Sequence, residues 1–292
     1  MTTKKTIQLF IKNFLVTRNL HPKMKQIIFG LLHSEGKIFH ENSQFTWGEF
    51  SYHISFLIVG ESLISQAAAM ELLLLATDLF DDFVDGDNPQ SLSPAKQGVL
   101  APALLMEALH LFRQETTQSF PTTWNCIYQN LQQASNGQWL DISITADHPT
   151  ATEQYYFQMI EKKSCSFIQL IFELYNTKQN PVLIEIATTI GYAAQLANDI
   201  GDIFASNKND LQQKKATLPL IMALKKDDGW LRAQLQLPNF DVKEVQTYIK
   251  ETGAIDYCTI LAKKYSKQAK ILLQQQYPNK PREIAHIMAM IE

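Results

Sequence analysis

The residues with the clearest chemical capacity are two groups of acids that share one spacing. Asp81, Asp82 and Asp85 close the apolar segment ELLLLATDLFDDFVDGD (71–87), and Asp78 lies one turn earlier. Positions i, i+1 and i+4 place three carboxylates on one edge of a helix end. Adjacent carboxylates repel, and aspartate is a poor helix former, so a cation would relieve both costs. A calcium loop does not fit, because Phe83 and Val84 fall where ligands are needed. Mg2+ held through one or two carboxylates plus a substrate phosphate fits better. In GYAAQLANDIGDIF (191–204), Asn198, Asp199 and Asp202 repeat the spacing on a second apolar helix. Were the two helices to face each other, five carboxylates and an amide would hold several Mg2+ ions and a diphosphate, with apolar helix faces below for a hydrocarbon tail. Lys163, Lys214 and Lys215 supply cations nearby in the sequence, although each alone reads as a surface lysine.

These acids need helices to hold them, and the apolar spacing supplies helices throughout. Helical periodicity predicts segments 6–16, 22–33, 60–82, 94–116, 122–135, 151–175, 181–204, 218–225, 242–251, 257–276 and 281–291. Breaks are expected at SEGK (34–37), DGDNPQ (85–90), ADHPT (146–150), KQNP (178–181) and YPNKP (277–281). No alternating apolar run flanked by hairpin turns stands out. The expectation is an all-α chain forming a single domain over residues 1–292.

Composition agrees with that class and excludes others. The 292 residues are 46% hydrophobic and 19% charged, enough for a large core and unlike a disordered chain. Glycine and proline number only 11 each, which favours helices over a turn-rich β architecture. A net charge of −3 argues against a nucleic-acid partner. The three cysteines show no zinc spacing, and a reducing, cytoplasmic compartment is the simplest expectation. The first residues, MTTKKTIQLFIKNFLV, read as an ordinary helix, with a weak membrane-surface association as the second reading. The apolar stretch 56–80 is broken by Glu61, Gln66 and Glu71 and is not expected to span a bilayer.

Taken in order, these motifs resemble the isoprenyl diphosphate synthase family over most of the chain. Asp81-Asp82-Phe83-Val84-Asp85 is similar to the family's first aspartate-rich motif, and Gly137-Gln138-Trp139-Leu140-Asp141 to its GQxxD helix. Tyr156, Met159, Ile160, Lys163 and Ser164 fit YxxMIxxKT. QLANDIGD (195–202) resembles the second motif, and Asp210-Leu211 with Lys215-Ala216-Thr217-Leu218-Pro219 fits DLxxGKxTLP. The resemblance implies the all-α isoprenoid synthase (terpenoid synthase) bundle around a central apolar cavity. It implies catalysis by Asp81, Asp82, Asp85, Lys163 and Lys215. Asn198, Asp199 and Asp202 join the first-motif acids as ligands of several Mg2+ ions, and Gln195, Lys163 and Lys215 bind diphosphate. Leu74, Ala76, Thr77, Phe80 and Gln138 line the prenyl pocket in this reading, with core packing as the competing role for Phe80 and the leucines. A homodimer is a further family expectation.

The departures narrow the function. Chain-elongating members carry GKRxRP, a histidine in the first motif helix and an Arg-Arg pair after it. Here Gly36-Lys37-Ile38-Phe39-His40-Glu41, Leu74 and Gln90-Ser91 stand in those places. Guanidinium is hard to replace in phosphate recognition, so the isopentenyl site reads as dismantled while the allylic machinery is kept. That combination resembles the competence-pheromone isoprenyltransferases of bacilli. The resemblance implies transfer of a geranyl or farnesyl group from its diphosphate to a tryptophan of a peptide pheromone precursor, in quorum sensing and competence.

Three alternatives stay open at this point. They are an elongating short-chain synthase using isopentenyl diphosphate, a class I cyclase, and a silent subunit of a heteromeric synthase. The cyclase is weakened because Asp202 and Ser206 stand where NDxxSxxxE needs Ser and Glu. Cys165 is expected as a buried thiol, the lysines of 263–270 as a solvated face, and Trp47, Trp124, Trp139 and Trp230 as packing residues, with lining of the cavity beside Gln138 as the second reading of Trp139. His53, His110 and His148 show no ligand spacing.

Overall fold

The computed structural model describes residues 2–87, 89–114, 118–205 and 210–291, with only the backbone of Phe120. Asn88 in the predicted break 85–90, Thr116 at a predicted helix end, and Ser206 of the cyclase comparison lie outside the described residues. Among the described residues there are fourteen α-helices and no strand, only an isolated bridge between Thr145 and Lys215. The all-α expectation holds.

The chain divides into two compact units. The first comprises residues 1–124, 174–177 and 280–290. It contains α1 (Thr3–Thr17), α2 (Pro22–Leu32), α3 (Trp47–Val59), α4 (Ile64–Asp85), α5 (Pro94–Phe112) and the start of α6 (Phe120–Asp141). Its remaining helix, the last in the chain, is α14 (Pro281–Ala289). The centre is α4, which is buried almost continuously from Ser65 to Ala76 and packs against α5, α3 and α1. A helix apolar all round is stable only when other helices surround it.

Helix α3 was not expected, and its signal is local. Thr46 caps it, accepting from the Glu49 N–H at 3.3 Å while its hydroxyl donates to Glu49 Oε2 at 3.0 Å. Thr-x-x-Glu ahead of an apolar run is a helix-start signature. Gly60, at φ 81°, ends the helix in a conformation that side chains rarely adopt. Helix α14 packs on α3, where the Lys280 ammonium donates to the carbonyls of Phe56 (3.1 Å) and Leu57 (2.9 Å). A cation suits carbonyls at the negative end of α3. In the same contact His53 is driven down to a pKa of about 4 by burial and by His286.

The second unit comprises residues 125–173, 178–279 and 291–292. It holds the rest of α6, then α7 (Glu153–Lys163), α8 (Cys165–Tyr175, whose end belongs to the first unit), α9 (Pro181–Phe204) and α10 (Leu218–Lys226). Helices α11 (Trp230–Gln236), α12 (Val242–Glu251) and α13 (Ala254–Gln276) follow. Helix α9 packs chiefly on α13, and a continuous core runs from Tyr156 and Ile160 through Leu196, Ile203 and Leu220 to Val245 and Cys258.

The bounds of α9 and α12 are as predicted. The expected helix 151–175 is instead two, broken at Ser164, and the seven-residue α11 was not anticipated. Asp227 starts α11 by accepting from the N–H groups of Leu231 (2.8 Å) and Arg232 (3.0 Å). Among the described residues no helix is long and apolar enough to cross a membrane.

Candidate active site

The first aspartate group occupies the end of α4. Asp81, Asp82 and Asp85 are half-buried, and the helix stops at Gly86, whose N–H donates to the Asp82 carbonyl. No basic residue stands in that last turn. Three carboxylates therefore share the end of a helix where its own carbonyls already concentrate negative charge. Added cations are the physical remedy, and the fold places one on the preceding turn.

That cation is Lys37, whose ammonium forms an ion pair with Asp78. Burial works against the Lys37 charge, yet Asp78, helped by Glu71 and Asp82, holds its pKa above the ordinary value. Glu71 fixes the segment that carries the lysine. It is buried and accepts from the backbone N–H groups of Ile38 (3.0 Å) and Gly48 (2.8 Å). Burial pushes the Glu71 carboxyl up, against the pull of those donors and of Lys37.

Of the residues assigned to a prenyl pocket in this unit, Leu74 and Ala76 are buried in α4. Thr77 is half-buried and donates to the Leu74 carbonyl at 3.0 Å. Phe80 is 40% exposed, so core packing does not describe it. It stands outside because the apolar face of α4 ends at Leu79, where the acidic edge begins. Gln90, at an expected arginine position, has φ 51° and donates to the Gly30 carbonyl and the Ser34 hydroxyl, both at 2.8 Å. The residue is spent on holding its own turn against the end of α2.

The second group lies near the end of α9, again without a basic residue in the last turn. Asn198 is exposed, Asp202 half-buried and Asp199 buried. Gln195, one turn before, donates to Asp199 Oδ1 at 2.7 Å, and the buried Tyr156 phenol faces the same carboxyl. Burial raises the Asp199 pKa to about 7, against the pull of Tyr156 and Gln195 and with the help of Asp141 and Asp210.

Both lysines proposed for diphosphate stand in this unit beside carboxylates. Lys163 Nζ lies 2.6 Å from Asp141, and Lys215 Nζ 3.5 Å from Asp210. The Lys215 N–H also donates to the Asp210 carbonyl at 2.9 Å, which sets that turn. Asp141, Asp210 and Tyr156 are thus the partners of the candidate residues Lys163, Lys215 and Asp199. They belonged to the quoted motifs but drew no role, because spacing alone does not pair residues far apart in sequence.

Gln138 is half-buried on α6 beside Gly137, which presses on the backbone of Lys162 and Lys163. That contact is where the expected helix 151–175 breaks. Trp139, expected in packing or lining a cavity, is 70% exposed, and Trp124 is 46% exposed. On α6 both lie off the face that carries Gly137 and Asp141.

Among the described residues no three His, Cys, Asp or Glu side chains are drawn into a ready-made metal cage. Mg2+ does not require one, since it keeps water and binds through one or two carboxylates plus substrate phosphate. The donors here are oxygen only, and most are partly accessible. They fit that ion and not a thiolate or imidazole metal.

A known structure with the same fold is the polyprenyl synthase of Caulobacter crescentus CB15, solved with calcium and isoprenyl diphosphate. It superposes with a TM-score of 0.78 at 19% identity, covering 98% of this chain and 94% of that one. The fold is therefore that of the isoprenoid synthases. The polyprenyl synthetase family model matches residues 58–252, and the chain belongs to that family. It is an enzyme that transfers prenyl groups and takes a prenyl diphosphate. Among characterised proteins it is similar to the tryptophan prenyltransferase ComQ of Bacillus subtilis subsp. natto, 27% identical over 88% of this chain and 89% of that one. The ComQ of Bacillus spizizenii is 25% identical over 80% and 89%.

Proposed function

We propose that this enzyme transfers a geranyl or farnesyl group from its diphosphate to a tryptophan of a peptide pheromone precursor, with Mg2+, in quorum sensing. The observation that carries the reading is the fate of the positions where elongating relatives hold a second diphosphate. Gln90 is turned onto Gly30 and Ser34, and Lys37 is held by Asp78. The similarity to two tryptophan prenyltransferases over most of the chain supports the same acceptor.

Bound Mg2+ would draw charge from the departing diphosphate. In this reading Asp81, Asp82 and Asp85, and separately Asn198, Asp199 and Asp202, supply oxygen ligands. Lys163 and Lys215 are preset by Asp141 and Asp210 to face anionic oxygens, so little reorganisation is needed as charge develops. The allylic C–O bond breaks and its electron pair leaves with the diphosphate. Indole C3 of the acceptor forms the new C–C bond, a backbone nitrogen closes the ring, and its proton is lost.

Chain elongation with isopentenyl diphosphate is the second reading, favoured by the family model itself. Mass spectrometry on the purified chain with Mg2+ and geranyl or farnesyl diphosphate separates the two. Parallel reactions receive isopentenyl diphosphate or a tryptophan-bearing precursor peptide. One added prenyl mass on the peptide, with no longer diphosphate, is expected; the converse result selects elongation.

A further inference from the structure

Two histidines that show no spacing in the sequence meet in the first unit. His53 of α3 and His286 of α14 are 233 residues apart, yet their Nε2 atoms are 3.0 Å from each other. The ring centroids are 4.1 Å apart and the planes cross at 62°, so the contact is edge-on through the nitrogens and is not a stack. Two neutral imidazoles can share this distance only with a proton or a cation between the nitrogens.

We propose that His53 and His286 form a two-histidine site for a late divalent transition metal of the Ni2+ or Cu2+ type, which staples α14 to α3. The separation argues for that class. With metal–nitrogen bonds of about 2.1 Å, nitrogens 3.0 Å apart subtend an angle of about 90°. Neighbouring positions of a square or tetragonal site need that angle, whereas tetrahedral zinc needs nitrogens about 3.4 Å apart. Metal entry requires both rings as Nδ1–H tautomers, which moves the shared proton off Nε2 without changing the charge of either ring.

The supporting structure holds the pair in place before any ion binds. Ile284, Ile287 and Met288 are buried along α14. Lys280 ties the start of α14 to the end of α3 at Phe56 and Leu57. The ring of Tyr52 stands edge-on to His53 at 5.4 Å. His286 itself is exposed, which leaves the outer face for water to complete the coordination. Among the described residues no third His, Cys, Asp or Glu joins the pair, so the ion would be exchangeable and stabilising.

The test is titration of the tag-free full chain with NiCl2 in excess Mg2+, followed by calorimetry and thermal unfolding. Variants His286→Ala, His286→Asn and, as a control elsewhere, His148→Ala are compared after circular dichroism confirms folding. One Ni2+ per chain is expected, with the unfolding midpoint raised by about several degrees at a hundredfold excess over Kd. Affinity should fall at least about tenfold in both His286 variants and stay unchanged in His148→Ala. Tighter binding of ZnCl2 than of NiCl2 would overturn the assigned metal class. No heat with the wild-type chain, or an equal midpoint shift in the His286 variants, would overturn the site.

Discussion

Gly137 lies against the backbone of Lys163: a methyl group at Gly137 would stand 2.1 Å from the Lys163 nitrogen and 2.5 Å from its Cα. The glycine lets α6 approach the end of α7 closely enough for Asp141, one turn along α6, to reach the Lys163 ammonium. Backbone cannot step aside as a flexible side chain can. Gly137→Ala should therefore lower stability by about 3 kcal/mol and displace Lys163, with a larger loss in kcat than in KM. Thermal unfolding and steady-state kinetics check this, and an unchanged midpoint would refute the contact.

Asp81→Asn should abolish prenyl transfer while leaving the fold intact. Asparagine keeps the size of the side chain at this half-buried position, so the metal-free variant should stay folded, as circular dichroism checks. Near-normal turnover in a variant shown to be folded would end the metal assignment.

The contribution of Asp199 to the stability of the metal-free enzyme should fall as pH rises from about 4 to about 7, opposite in sign to that of His53, whose pKa is lowered. The native Asp199 carboxyl keeps its proton up to a pKa of about 7, whereas in the unfolded chain it releases it near the ordinary 3.8. Between those values the native state binds more protons, so each rise in pH favours unfolding. The contribution is full below pH 4 and gone above pH 7. Its size is on the order of a few kcal/mol, and Asp199→Asn should remove it. Urea unfolding across that range, in chelator, measures the slope; identical slopes in both proteins would contradict the role of Asp199.

Glu71→Gln should cost about 2 kcal/mol. The carboxylate accepts from two backbone N–H groups on opposite oxygens, and an amide presents its own donor to one of them. Lys37 loses part of its electrostatic support as well. Denaturant unfolding reads the loss, and proteolysis of the segment around Ile38 should accelerate.

The sequence alone carried the helical class, the bounds of α9 and α12, and both acid groups, because each depends on neighbours within a few turns. Apolar periodicity repeats locally, and carboxylates at i, i+1 and i+4 share an edge whatever surrounds the helix. Helix α3 was legible in principle from Thr46 and Glu49. Its long apolar stretch masked the start, since a helix buried on most sides loses the contrast on which periodicity relies. The partners of the charged residues were a different matter. Lys163 with Asp141, Lys215 with Asp210, Lys37 with Asp78 and His53 with His286 are joined by the packing of elements, and no spacing rule encodes those distances. The exposure of Phe80 and Trp139 is likewise decided by which helix faces find a neighbour. Burial of Asp199 belongs to the same class: desolvation is a property of everything packed around a group, so the proton it holds near neutrality is set by the tertiary structure.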